Sequence, residues 1–60
     1  MMKFKAYLVE HGIKQIEVAL LLGIGLQSAN RKLNGREPFT TAQIKILCEH
    51  YGISADEYFI

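Results

Sequence analysis

A single cysteine, Cys48, occurs in the 60 residues. One thiol excludes an internal disulfide and a thiolate metal cluster, and it fits the reduced, cytoplasmic setting in which disulfides are rare. Long apolar runs are missing too. The longest, Val18 to Leu22, falls far short of the roughly 18 residues of a membrane span. Met1 to Lys5 carry no apolar stretch with a small-residue cleavage site, so no secretory signal is expected. Charge of one sign is scarce as well: seven Lys and Arg stand against six Asp and Glu, a net charge of +1. Composition alone therefore argues little for a polyanionic partner. No stretch alternates apolar and polar residues long enough to make a strand.

What is present points to helices. Sixty residues make one domain, 1–60, and so short a chain buries only roughly 60% of the surface its unfolded form exposes. Without disulfides or a metal, efficient helix packing is the remaining source of stability. A 50% hydrophobic and 22% charged composition is that of a folded globular chain. Glycines at 12, 23, 25, 35 and 52 punctuate it, and the segments between them read as five helices.

Helix 1 is expected from Lys3 to His11, with Phe4, Tyr7, Leu8 and His11 on one face. Helix 2 is expected from Gln15 to Leu22; its apolar run is too continuous for a clean stripe and places it in the middle of the packing. Helix 3 is expected from Leu26 to Leu33, with Ala29 and Leu33 as a narrow buried face. Helix 4 begins after Thr40, where Thr40 and Gln43 form a T-x-x-Q capping box flanked by the staple pair Phe39 and Ile44. Ile44, Leu47, Cys48 and Tyr51 then recur at helical spacing. Ser54 and Glu57 repeat the box, with Ile53 and Tyr58 as staple, and open a short helix 5 from Ala55 to Phe59.

Charge is unevenly distributed. Arg31, Lys32 and Arg36 lie between Gly25 and Arg36 with no acid among them, whereas Glu49, Asp56 and Glu57 close the chain with no Lys or Arg. The basic side thus coincides with helix 3. Residues 15 to 34 also have the ingredients of a helix-turn-helix. Ala19 is small where two steeply crossing helices meet, Gly23 tolerates a positive φ in the turn, and Val18, Leu22, Ile24 and Ala29 fill the wedge. Such a geometry leaves the N-terminal half of helix 3 projecting, where it can reach base edges.

This segment resembles the lambda-repressor/Cro-like helix-turn-helix family, through Gln15-x-x-Val18-Ala19, the Leu22-Gly23-Ile24 turn and the closing Asn34-Gly35. The run from Arg31 to Gly35, followed by Phe39-Thr40 and an apolar helix, is similar to phage repressors and regulators of Gram-positive type. The resemblance spans about Phe4 to Phe59. It departs at Lys32, where the family commonly has a bulky apolar residue: either Leu33 takes over the packing or the end of helix 3 rotates. The resemblance implies that Leu26, Gln27, Ser28 and Arg31 face the bases. Their chemistry agrees, since Gln pairs with adenine, Arg with guanine O6 and N7, and Leu touches a thymine methyl. It further implies that Gln15, at a helix N-terminus suited to anions, and Asn34 bind phosphates. Asn30, Lys32 and Arg36 are secondary backbone candidates.

The expected function is that of a sequence-specific transcriptional regulator, binding double-stranded DNA as a homodimer on a pseudo-palindromic operator with half-sites about 10–10.5 bp apart or a multiple of it. Low net charge implies a shallow salt dependence. The rival reading is a protein-interaction module on the same fold, an antirepressor or antitoxin-like adaptor; the acid-free polar surface of helix 3 favours DNA. No cofactor, metal or small-molecule ligand is expected. His11 and His50 each follow a glutamate without a second ligand at metal spacing, and Gly23-x-Gly25 lacks the strand and further glycines of a phosphate loop. Neither paired carboxylates nor a nucleophile–base set suggests an enzyme. Cys48, Tyr7, Tyr51, Tyr58 and Phe59 read as packing residues, with Phe59 and Ile60 alternatively part of a subunit contact.

Overall fold

The computed structural model describes residues 3–59. Within them the chain is all-helical: α1 Lys3–Glu10, α2 Gln15–Leu22, α3 Leu26–Leu33, α4 Thr41–Tyr51 and α5 Ala55–Tyr58. The expected five helices are present. α1 and α5 each stop one residue earlier than the sequence suggests, although the His11 N–H still donates to the Tyr7 carbonyl (3.0 Å) and that of Phe59 to Ala55 (2.8 Å).

α2 and α3 pack against each other, α1 lies on α5, and α4 touches both α2 and α5. One buried cluster joins them: Phe4 and Leu8 from α1, Val18 from α2, Leu33 from α3, then Phe39 and Leu47. Phe4 is its centre. The ring is fully buried and has Tyr7, Phe39, Tyr51 and Phe59 around it, with centroids 4.8 to 6.2 Å away. These are the separations at which aromatic pairs attract beyond simple burial. Phe59 is therefore a packing residue on Phe4; Ile60 lies outside the described residues. Cys48, expected in the core, is only half-buried, and that burial pushes its thiol pKa up.

The helix boundaries have local causes. At α4 the capping box is complete: the Thr40 hydroxyl accepts from the Gln43 N–H (3.1 Å), and the Gln43 side-chain oxygen accepts from the Thr40 N–H (3.0 Å). The box expected at α5 does not form, because Ser54 makes no side-chain cap hydrogen bond. A four-residue helix has little cooperative stability of its own, and packing holds it instead: Tyr58 stands edge-on to Tyr7 at 5.3 Å and Phe59 to Phe39 at 5.5 Å. At α2 the Glu17 carboxylate folds back to accept the Lys14 N–H at 2.7 Å, an N-terminal contact the sequence reading missed.

α2 is not in the middle of the packing. Val18 and Ala19 are buried, but Ile16 is 42% and Leu20 74% exposed. The molecule spans 25 × 24 × 20 Å, about two helix diameters of roughly 10–12 Å. An object two helices thick cannot surround any helix, however apolar.

Candidate nucleic-acid interface

The turn between α2 and α3 is built as the sequence suggests. Gly23 ends α2 at φ 68°, ψ 32°, a left-handed conformation that L side chains adopt only with strain. Gly25 then returns to extended backbone at φ −72° and begins α3. Ala19 is 1% exposed, and Val18 and Ala29 are fully buried. Leu22 and Ile24 are half-buried. With Ala29 and Leu33 turned into the core, the opposite face of α3 is left to solvent.

On that face an open groove of about 480 Å³ is lined by Gln15, Leu26, Gln27, Asn30, Arg31 and Arg36. All six are among the nine residues singled out from sequence, so α2, α3 and the segment after α3 converge on one concavity. The other three are placed differently. Ser28 is half-buried, and Asn34 sits at the C-terminal end of α3, outside the groove lining. Lys32 is 6% exposed.

Lys32 departs furthest from the exposed position expected of it. Its ammonium donates to the Pro38 carbonyl at 2.9 Å and lies 3.2 Å from a Glu37 carboxylate oxygen, and it stands 5.9 Å from the Phe39 ring centroid. A buried ammonium needs such partners. They commit two of its three N–H donors, and with the side chain almost wholly buried little of the ammonium is left toward solvent for a phosphate. At the end of α3 both residues are covered: Leu33 is fully buried, and Lys32 is buried too while its head reaches the chain beyond Gly35. A lysine thus fills an apolar position through its methylenes.

The surface of α3 is not free of acids in space. Glu37, the residue after the acid-free window, places one carboxylate oxygen 3.1 Å from Arg31 Nε and the other 3.2 Å from Lys32 Nζ. The hydrogen bond from Arg31, then that from Lys32, holds its carboxyl below the usual carboxylate range. The sequence signal was adjacency alone; only the turn through Gly35 brings the acid back over α3.

A second set of contacts ties three helices together. Lys5 of α1 donates to Asn34 Oδ1; Asn34 Nδ2 donates to Asn30 Oδ1 at 3.0 Å; Asn30 Nδ2 donates to Gln15 Oε1 at 3.0 Å. Every amide oxygen in the series accepts from its neighbour, so donors all run one way, from an ammonium to the groove. With its oxygen committed, Gln15 has its NH₂ group left to offer, and phosphate oxygens accept such donors. This side-chain placement, rather than the α2 N-terminus, is the better basis for Gln15, since Glu17 already sets a carboxylate at that end. Lys5 escaped the sequence reading because it lies 29 residues from Asn34 and no local pattern links them.

Among the described residues, no helix is long and apolar enough to cross a membrane, and no group of three or more His, Cys, Asp or Glu could hold a metal ion. The family model for the BetR domain matches residues 3–60. That family is one of small helix-turn-helix-like DNA-binding domains. No curated protein and no solved structure matches the chain.

Proposed function

The chain belongs to the BetR domain family, and from that premise we propose that it is a sequence-specific transcriptional regulator binding double-stranded DNA with α3 in the major groove. The observation that carries this reading is the groove in which Leu26, Gln27 and Arg31 share one exposed face with Gln15, Asn30 and Arg36. Leu26, Gln27 and Arg31, with Ser28 beside them, supply the apolar, bidentate amide and bidentate guanidinium contacts that distinguish base pairs. Gln15, Asn30, Asn34 and Arg36 are the proposed phosphate ligands. Lys5, at the far end of the amide series, is added to them and replaces Lys32.

In this reading the regulator resembles phage or prophage repressors of the lambda-repressor/Cro-like kind and acts in the cytoplasm as a single module, 1–60, that pairs on its operator. One module this small covers few base pairs, and two-fold pairing doubles the contacts. The test is selection of duplexes from a random pool, followed by a salt titration of the selected site with wild type and Arg31→Ala. A pseudo-palindromic consensus bound with salt-sensitive affinity, weakened in the variant, is the expected result. Failure to enrich any duplex, with no salt-sensitive retention on DNA-cellulose, sinks the reading. A protein-interaction module, antirepressor or adaptor, is then preferred; the carboxylate of Glu37 on both α3 cations is the observation in its favour.

A further inference from the structure

Arg31 and Glu37 are both partly exposed, with side chains 48% and 38% accessible. A pair of this kind contributes little to stability, so its interest lies in geometry. Glu37 is no ordinary surface acid, because its second oxygen is fixed by Lys32, whose side chain is 8% exposed and whose ammonium is also held by the Pro38 carbonyl. The carboxylate therefore cannot swing away with a mobile partner. The contact to Arg31 is made through Nε. That leaves the Nη1 and Nη2 end of the guanidinium for a ligand, in a side chain that lines the groove.

We propose that Glu37 is the positioning and specificity-determining residue of this interface: anchored by buried Lys32, it grips Arg31 by Nε and presents the Nη1/Nη2 edge to a guanine. The inference rests on the DNA-binding reading above. Two consequences follow from the charges. Fixing the Arg31 side chain in advance spares the ordering that binding otherwise demands, which favours the one base whose two acceptors match the guanidinium fork. Half-neutralising Arg31 makes it a poor partner for an arbitrary phosphate while leaving its directional donors intact. Glu37 thereby weakens non-specific binding more than specific binding.

The experiment measures affinity for the selected duplex, for the same duplex with each base pair changed, and for unrelated duplex, at several salt concentrations. Glu37→Gln is expected to lower discrimination at one G·C position by about 2- to 10-fold. It should also tighten unrelated-duplex binding and steepen the salt dependence by up to about one unit of log–log slope. In an Arg31→Ala background the same substitution should leave discrimination unchanged, which a merely structural role for Glu37 would not produce. Should Glu37→Gln fold poorly, Lys32→Met with Glu37→Gln removes the buried ammonium and its counter-charge together and is expected to show the same lost discrimination. If wild type selects a duplex and these variants keep its base preferences and salt slope, the role of Glu37 is wrong while the regulator stands. If wild type selects none, both fall.

Discussion

The side of the molecule around Phe4 and the side around Arg31 are held by different physics. Around Phe4, the aromatic rings of α1, Phe39, α4 and the C-terminal Phe59 meet in contacts that depend on excluded water, not on salt or pH. Around Arg31 and Asn30, exposed polar side chains from α1, α2, α3 and the segment after α3 hold one another by hydrogen bonds. Each such bond is worth little, because water is a ready substitute. The first side makes the fold; the second sets directions of donors and charges. A domain of this size, with about 3–9 kcal/mol of total stability, concentrates that stability in few residues and leaves the polar face free for the binding role proposed above.

The sharpest way to break that division is Phe4→Ala. Deleting a fully buried phenylalanine costs about 3–5 kcal/mol, comparable with the whole stability of the domain, so the variant should be largely unfolded by circular dichroism at 25 °C. A cooperative melt near that of wild type would show that the aromatic cluster is not where the stability resides. Arg31→Ala should do the reverse. On the proposed base-reading role, loss of Arg31 is expected to cost about 1–3 kcal/mol of binding to the selected duplex, while stability stays within about 0.5 kcal/mol, as for other exposed sites. Equal losses in binding and in melting temperature would erase the distinction.

How much of each side was legible in the sequence follows from the range of its interactions. The Thr40–Gln43 box, the left-handed Gly23 and the small Ala19 are local devices, and each is where the sequence puts it. Six of the nine candidate site residues share one groove, because a helix face and a short turn fix their mutual positions. Long-range contacts were not legible. Lys5 meets Asn34 across 29 positions, and Glu37 reaches Lys32 only once the chain reverses after α3. Lys32 read as a surface cation because residue type alone does not reveal a side chain whose stem packs and whose head finds a carbonyl. The apolar run of α2 overstated its burial, since thickness, not hydropathy, decides how much of a helix can be covered.

Thr40→Ala removes a complete cap where the aromatic side begins, next to buried Phe39. It should cost about 0.5–2 kcal/mol, read as a drop in urea midpoint at constant m-value. On the polar side, protonating Glu37 should matter less. Its folded pKa is lowered by Arg31 and Lys32, so the stability linked to it is fully present above the ordinary value of 4.5 and is lost as pH falls through the lower folded value. Wild type and Glu37→Gln should therefore differ more at pH 7 than at pH 3 in urea midpoint. A difference independent of pH would mean that the charge of Glu37 is not what its partners bind.

The smallest expected effect is the most telling about α5. Ser54→Ala removes a residue with the right identity for an N-cap but without a cap hydrogen bond. If α5 stays in place because Tyr58 and Phe59 pack on Tyr7, Phe4 and Phe39, the substitution should shift stability by no more than about 0.5 kcal/mol, against the larger loss at Thr40. The two sites share a sequence pattern and a position before a short apolar segment, so the difference between them isolates the hydrogen bond. A loss at Ser54 equal to that at Thr40 would mean that the box closes in solution and that α5 is fixed by its cap. The aromatic side would then depend on polar contacts as much as the face it stands opposite in character.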